Sequence, residues 1–523
     1  MKGKLGAYFR FLWGLPAYLN TPMSYDEARQ AFVDRLAGRE DSFLSLAKRA
    51  VYENPSSPYL PLLKKAQCAY GDMEQGVRHL GLEGFLRQLK DAGVWISLDE
   101  FKGASAICRG GLEIPVTSED FRNPWVSSGC EVTTGGTSGR SSRTHMDLDF
   151  IAERVRYAHL IFEMLDLYDV PAALWYPRLP AVTGIANTLV YAKIGHPAQR
   201  WFCMLPDSSV KPGLESRLAT DFIIWASRLT RTPLVRPEPV SIAQVDAVVD
   251  WMVGHLQREG RSVLQTYVSQ AVRVSQAAAE RGLDLSGALF IVGSEPLTAA
   301  KLREIKSAGA AVFPRYHTTE LGAVATGCGN PREVGEYHVA TDSVAMIQEP
   351  GGEGEPVPMY LTSILRAAPV IMINVELGDR ALADTYPCGC LWEELGLTTH
   401  LRQVGSLHRA TGEGMTVDRR ELLRVVEEVL PALYGGSSVD YQWVEDEDER
   451  SFTRLWLRID PRLGEMDEAR VVETILAELR RVGGGALAAE MWRQAGTIRI
   501  LREPPRATST GKTLPWRRNL SDT

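Results

Sequence analysis

The chain has 523 residues, 45% of them hydrophobic and 24% charged, and 58 basic side chains against 65 acidic ones leave a formal net charge of -7. This is the balance of a globular protein long enough for two or more cores, and it excludes a disordered or fibrous chain. The mild acidity argues against a nucleic-acid scaffold, which carries a basic excess or stripe, and no stretch of about 18 apolar residues predicts a membrane span.

Cysteine usage points the same way. Cys68, Cys108, Cys130, Cys203, Cys328, Cys388 and Cys390 are too sparse and too odd in number for a disulfide-built secreted module, so a reducing, cytoplasmic setting is expected. The first residues, Met1-Lys2-Gly3-Lys4 and then Phe9 to Leu19, are faintly signal-like. Arg10 and Pro16 interrupt them and no small-residue cleavage site follows, so they read as an amphipathic segment packed on the protein.

Residues 1–100 carry helical periodicity, in Tyr25 to Leu36, Phe43 to Tyr52, and Leu82 to Ala92 with Leu82, Phe85, Leu86 and Leu89 on one face. They predict a helical N-terminal extension. From about residue 101 the chain alternates short β-branched runs with helices, the pattern of a large α/β domain. Near its start lies Val132-Thr133-Thr134-Gly135-Gly136-Thr137-Ser138-Gly139-Arg140-Ser141-Ser142-Arg143. Glycines there let backbone N–H groups point inward, and Thr134, Thr137 and Ser138 add hydroxyl donors, a composition suited to phosphate. The spacing is not that of the P-loop nucleoside triphosphatases, and an ordinary surface loop has the same composition.

Asp147 to Leu167 reads as a helix, and Leu174-Trp175-Tyr176 and Leu189-Val190-Tyr191 read as short strands. Val182-Thr183-Gly184 is a turn or a pocket wall. Val245 to Gln257 and Tyr267 to Glu280 are helices, and Ala288 to Val292 is a buried strand ending at Gly293-Ser294-Glu295-Pro296-Leu297, before a helix from Ala299 to Ala308. Strand ends in such sheets are where ligands bind. Residues 405–523 form a small α/β domain, with strands at Tyr441 to Val444, Arg454 to Ile459 and Thr497 to Leu501 and an amphipathic helix at Glu468 to Arg481.

Four further motifs fall in the order found in the AMP-forming adenylating enzymes, and from roughly residue 100 onward the chain resembles the phenylacetate–CoA ligase branch of the acyl-CoA synthetases. Gly293-Ser294-Glu295-Pro296-Leu297 matches G-A-E-P-L, Tyr316-His317-Thr318-Thr319-Glu320 matches Y-G-x-T-E, Gly378-Asp379 matches T-G-D, and Thr510-Gly511-Lys512 matches the terminal G-K. The resemblance implies a large adenylate-forming domain, 101–404, with a small mobile C-terminal domain, 405–523. It also implies site roles. Ser294, Glu295 and Pro296 would line adenine by their backbone, Tyr316 would stack on it, and His317 occupies the position of the glycine that follows the stacking tyrosine. Thr319 would touch phosphate, Glu320 would help hold Mg2+, and Asp379 would accept ribose hydroxyls. Lys512 would bridge carboxylate and α-phosphate, and Thr134, Gly136, Thr137, Ser138 and Gly139 would cradle phosphates.

The residue types suit that chemistry on their own terms. A carboxylate attacking the α-phosphate of ATP brings two anions together, and Lys512 and a metal on Glu320 would neutralise them. Asp379 is wrong for phosphate but right for accepting two hydroxyl bonds. The chain also departs from the branch. Ser141 replaces its proline, R-Y-R-T-G-D reads Asn374-Val375-Glu376-Leu377-Gly378-Asp379, and the G-R-x-D hinge reads Gly405-Ser406-Leu407-His408. Arg402 or Arg409 is the candidate to replace the lost hinge arginine.

Cys328, His338, Cys388 and Cys390 offer three thiolates and an imidazole, a set suited to tetrahedral zinc. Some relatives in the branch carry a structural zinc at matching positions; the other reading is reduced core cysteines beside a surface histidine. The expected reaction is ATP-dependent activation of a carboxylic acid, aromatic by resemblance alone, followed by transfer to coenzyme A. Alternatives are a carrier protein, an amine or nitrite as acceptor, or a degenerate homologue without turnover, against which Glu320, Asp379 and Lys512 argue. The expected partner is a small-molecule acid, and the branch often forms homodimers.

Overall fold

The computed structural model describes residues 2–126, 130–133, 136–137, 143–204, 214–352, 354–406, 408–482, 485–507 and 513–519. A 12-stranded sheet organises the large part of the chain. From one edge its strands are Val344–Gln348, Val357–Ser363, Val375–Thr385, Thr399–Ser406, Tyr337–Val339, Gly322–Gly327, Ala311–Thr318, Ala288–Gly293, Ser262–Tyr267, Ala172–Trp175, Arg200–Cys203 and Pro237–Pro239. The last six pair in parallel, and the rest run antiparallel. Ala311–Thr318 is the strand at which the sheet changes character, parallel to Ala288–Gly293 on one side and antiparallel to Gly322–Gly327 on the other. Carboxyl ends of parallel strands at such a break leave a crevice for a ligand.

The parallel half is covered by helices Leu148–Met164, Thr183–Lys193, Asp246–Glu259, Val268–Glu280 and Ala299–Ser307. Asp147 caps the first of these, its carboxylate accepting the N–H of Asp149 at 2.7 Å. Leu189-Val190-Tyr191 is not a strand as its apolar run suggests. It lies inside Thr183–Lys193, a helix buried on nearly every side, where an apolar run has no period to betray it. Position 184, in the first turn of that helix, is glycine because an added Cβ would stand 2.3 Å from the Trp201 ring.

The N-terminal extension is helical, in Lys2–Asn20, Tyr25–Ala37, Arg39–Ala47, Tyr59–Lys65 and Tyr70–Asp91. Phe11, Leu15 and Leu19 bury one side of the first helix. The extension is sewn to the sheet through polar backbone contacts. Tyr59 donates to Ile371 O at 3.3 Å, Asn374 donates its amide to Leu86 O and Val94 O, and Ile96 bridges to Val375.

The C-terminal part has a four-stranded sheet in the order Ile498–Leu501, Thr453–Ile459, Tyr441–Glu447, Trp516–Arg518, packed by helices Glu468–Arg481 and Gly485–Ala495. In the first of these helices Val471, Ile475, Leu476 and Leu479 form the buried stripe, each contributing about 1.5–3 kcal/mol by its burial. A hairpin of Arg409–Gly412 and Met415–Asp418 joins this part to the large sheet, and its second strand pairs in parallel with Gly136–Thr137. Glu413 at its tip is 1% exposed and meets Arg273 at 2.8 Å and Gln270 at 2.9 Å, both on Val268–Glu280. Among the described residues no helix is long and apolar enough to cross a membrane.

Candidate active site

A cavity of about 280 Å³ opens where the sheet changes character. Its wall brings together Ser294, Glu295, Pro296, Tyr316, His317, Thr319, Glu320 and Asp379, which are separate motifs in the sequence. Lys102, Val182, Thr183, Tyr267, Arg315 and Arg409 are among the other residues that line it. The hairpin Arg409–Asp418 closes one side, so residues from both parts of the chain meet here.

Tyr316 donates its hydroxyl to Asp379 Oδ2 at 2.6 Å. Burial, and then the Asp379 carboxylate, raises the tyrosine pKa well above its ordinary value, so the phenol stays protonated and remains a donor. Asp379 follows Gly378, whose φ of +85° and whose approach to the His408 ring, 2.9 Å from any added Cβ, require glycine. Gly405 and Ser406 are not a free hinge loop; they pair with Arg380 and Asp379 at the end of Thr399–Ser406. Leu407 lies outside the described residues.

Glu320 is bound by Lys102, Nζ to Oε1 at 2.9 Å. Burial works to raise the glutamate pKa, but Lys102 and then Arg409 outweigh it and hold the carboxyl below its ordinary value, so it is ionised. Arg409 faces Asp379, Glu320 and Tyr316, and these neighbours outweigh the cost of its own burial. Of the two candidate arginines, Arg409 therefore occupies the site. Arg402 is paired with Glu333 and Asp384 instead. Thr318 supports the turn before Glu320 by accepting the N–H of Leu321 at 3.1 Å.

Glu295 is expected to line adenine by its backbone, and its side chain is engaged elsewhere. Its Oε2 accepts the Ser269 N–H at 2.8 Å and the Ser269 hydroxyl at 2.6 Å, and its Oε1 accepts the Gly414 N–H. The carboxylate thus clamps the hairpin tip to the large sheet. Gly414 is needed there, because a Cβ would stand 2.1 Å from the Tyr267 ring.

Within the phosphate-like run, Gly136 and Thr137 form the short strand that pairs with Thr416 and Val417. Thr134, Ser138, Gly139 and Lys512 lie outside the described residues. Lys102, Arg315 and Tyr267 were not singled out in the sequence; Lys102 lies more than two hundred positions from its partner Glu320, with no motif around it.

The ligating atoms of Cys328, His338, Cys388 and Cys390 lie within 4.8 Å of one another, and these residues lie apart from the cavity wall. His338 is no surface residue; it is 0% exposed. Its Nδ1 contacts Leu397 O at 2.6 Å, which turns Nε2 to the sulfurs of Cys390 at 3.2 Å and Cys388 at 3.5 Å. The Cys328 thiol, reinforced by His338, pulls the Cys390 pKa far down against the effect of burial. Beside it, Glu336 contacts His400 Nδ1 at 2.6 Å, and the His400 ring packs 4.1 Å from His338. These supporting residues carry no signature of their own in the sequence.

No protein-family model and no curated protein matches the chain. Solved structures do. A 2-hydroxyisobutyryl-CoA ligase in complex with 2-HIB-AMP and CoA aligns with TM-score 0.56 and 15% identity over 95% of this chain and 91% of that chain. An amide bond synthetase from Marinactinospora thermotolerans aligns with TM-score 0.40 and 14% identity over 72% and 66%. An anthranilate CoA ligase in complex with anthranoyl-AMP gives 0.37 and 12% over 74% and 66%. The first alignment spans nearly both chains: this chain shares the overall fold of that ligase.

Proposed function

We propose that the protein activates a carboxylic acid with ATP as an acyl-adenylate, releasing pyrophosphate, and passes the acyl group to coenzyme A. The observation that carries this reading is the convergence of Tyr316, Asp379, Glu320 and Arg409 on one cavity at the break in the sheet. Tyr316 offers a ring face to adenine beside the backbone of Ser294 to Pro296. Asp379 accepts the ribose hydroxyls, exchanging its bond with Tyr316 for them. Thr319 and the phosphate-like run, Thr134 and Gly136 to Gly139, meet the phosphates.

In the first step an oxygen of the substrate carboxylate attacks the α-phosphorus, and pyrophosphate leaves with the electrons of the broken P–O bond. Lys512 holds the two anions together, with Lys102 and Arg409 adding positive charge. The donor set suits Mg2+: Glu320 is an ionised hard carboxylate, the ligand type this cation takes. Held by Glu320, Mg2+ would supply charge neutralisation to the phosphates, and Lys102 would yield part of its hold on that carboxylate. In the second step the thiol sulfur attacks the acyl carbonyl, its proton passes to solvent, and AMP departs.

The cysteine and histidine quartet suits structural Zn2+, since the thiolate character of Cys390 and the fixed imidazole tautomer are what zinc requires. Four protein ligands leave no open position for substrate. We assign residues 1–100 to an extension, 101–404 to the acid- and ATP-binding domain and 405–523 to the mobile domain.

The test is pyrophosphate release from ATP, Mg2+ and a panel of acids, followed by separate addition of coenzyme A, carrier protein, amines and nitrite. Thioester formation is expected. Adenylate consumed only by another nucleophile keeps the first step and replaces the acceptor, a reading that the altered hinge Gly405-Ser406-Leu407-His408 favours. No pyrophosphate with any acid overturns both steps.

A further inference from the structure

By strand alternation Arg315 and His317 project from the face of their strand opposite to Tyr316, although all three reach the wall of the one cavity. Tyr316 meets Asp379, whereas His317 feels the charges of Arg315 and Arg154. Arg154 comes from helix Leu148–Met164 and donates to Asn187 Oδ1 of helix Thr183–Lys193 at 2.9 Å. Neither arginine has an ion pair with a carboxylate among the described residues. The groups that act on Arg154 are burial, then Arg315, with Tyr176 and Tyr18 opposing weakly, and together they bring its pKa down to about 10.

Near Arg315, where the Tyr176 hydroxyl is within reach of Arg315 and Gln265, further buried polar atoms lack close partners. The Nε of Arg154, the Nε of Arg315, the Tyr191 hydroxyl and the Gln265 amide nitrogen are each buried and unmatched among the described residues. Tyr191 and Gln265 are each 1% exposed. Burial, with the two arginines, holds His317 well below its ordinary pKa, so it adds no third charge. Two guanidiniums sharing a desolvated space repel each other and are costly to keep unless an anion meets them. Arg is the side chain suited to a planar carboxylate, which takes its N–H groups two at a time.

We propose that the acid substrate is a dicarboxylic acid, whose second carboxylate is received by Arg154 and Arg315 beneath helices Leu148–Met164 and Thr183–Lys193. The proposal rests on the acid-activating reading and specifies its substrate class. The reacting carboxylate goes to the side of the strand where Tyr316, Glu320 and Arg409 lie, and the far carboxylate goes to the arginine side. Arg315, which lines the cavity, is the point of contact between the two.

The test measures pyrophosphate release for matched acids, hexanoate against adipate and benzoate against isophthalate and terephthalate. A site built around buried charged donors rejects a partner lacking the matching group, so at least one diacid should exceed its monoacid by about a hundredfold in kcat/KM. Arg315→Gln should lower that ratio at least about tenfold, and Arg315→Lys, which keeps the charge but not the fork, should lower it less. Equal turnover of monoacids and diacids overturns the proposal. So does an Arg315→Gln variant, folded by circular dichroism, that loses both classes equally, because the arginine would then serve the reacting carboxylate.

Calorimetry separates this failure from failure of the enzymatic reading. Adipate and terephthalate are titrated into wild type and Arg315→Gln in the presence of α,β-methylene-ATP. Binding to wild type that Arg315→Gln weakens at least about tenfold supports the diacid site even if no pyrophosphate forms. Absence of binding to wild type overturns it.

Discussion

Glu413→Ala tests whether the hairpin is latched to the large sheet by charge. The wild-type carboxylate accepts two contacts from Arg273 at 2.8 and 2.9 Å and one from Gln270 at 2.9 Å, and Arg454 stands 3.7 Å away. Removing one member of a buried ion pair costs about 3–5 kcal/mol. Two features reduce that here. Arg454 keeps Asp448 at 2.6 Å, and Arg273, whose side chain is 19% exposed, can swing partly into water. About 2–3 kcal/mol is therefore expected, equivalent to roughly 30- to 150-fold in an opening equilibrium. Because the latch joins the hairpin to helix Val268–Glu280, the loss should be local. Native-state hydrogen exchange should quicken by that factor in the paired amides of Arg409–Asp418 and stay unchanged in Thr453–Ile459, the centre of the C-terminal sheet. Uniform acceleration across both segments, or none in the hairpin, would refute the latch.

Asp379→Ala should raise the KM for ATP about tenfold or more and abolish discrimination against 2′,3′-dideoxy-ATP, as steady-state kinetics with both nucleotides will show. Lys512→Ala should abolish pyrophosphate release while leaving the thermal midpoint within about 2 °C, because its proposed role is in the reaction and not in the fold. His338→Ala should leave the protein without zinc by elemental analysis and lower its midpoint by several degrees, with less effect on the apparent affinity for acid; an unaltered metal content would sink the assigned ligand set. Burial, before all other causes, holds His159, His196, His317 and His400 below the ordinary histidine value of 6.5. The unfolded chain then binds more protons than the folded one as pH falls below about 6.5, so stability should drop across that window and before carboxylates titrate. Thermal midpoints flat from pH 7.5 to 5.5 would contradict this.

Local pattern revealed what depends on local pattern. Helix Val268–Glu280 and strand Ala288–Gly293 were legible because one keeps a polar stripe, Arg273, Gln276 and Glu280, at helical spacing on an otherwise buried element and the other is a short apolar run between turn residues. Thr183–Lys193 was misread at Leu189 to Tyr191 because burial on nearly all sides erases periodicity. The cysteine and histidine set was visible from its soft-ligand chemistry, although only the antiparallel pairing of Gly322–Gly327 with Tyr337–Val339 brings Cys328 to His338. Lys102, Arg154, Arg315 and Glu413 were invisible as site residues for the converse reason. A single charged side chain has no signature until the fold supplies its partner.

The strand Ala311–Thr318 carries Tyr316 toward Asp379, and Arg315 and His317 toward Arg154, with a register shift between Tyr316 and His317. One backbone therefore serves as a partition between two chemistries. On the proposed function, a change of side chain at position 315 would retune the choice of acid without altering the Tyr316 ring, so specificity could drift while the bond to Asp379 stays intact. A slip of the strand by one residue would exchange the two faces together. Substitution on this strand is thus an open route to new substrates, whereas insertion or deletion is closed.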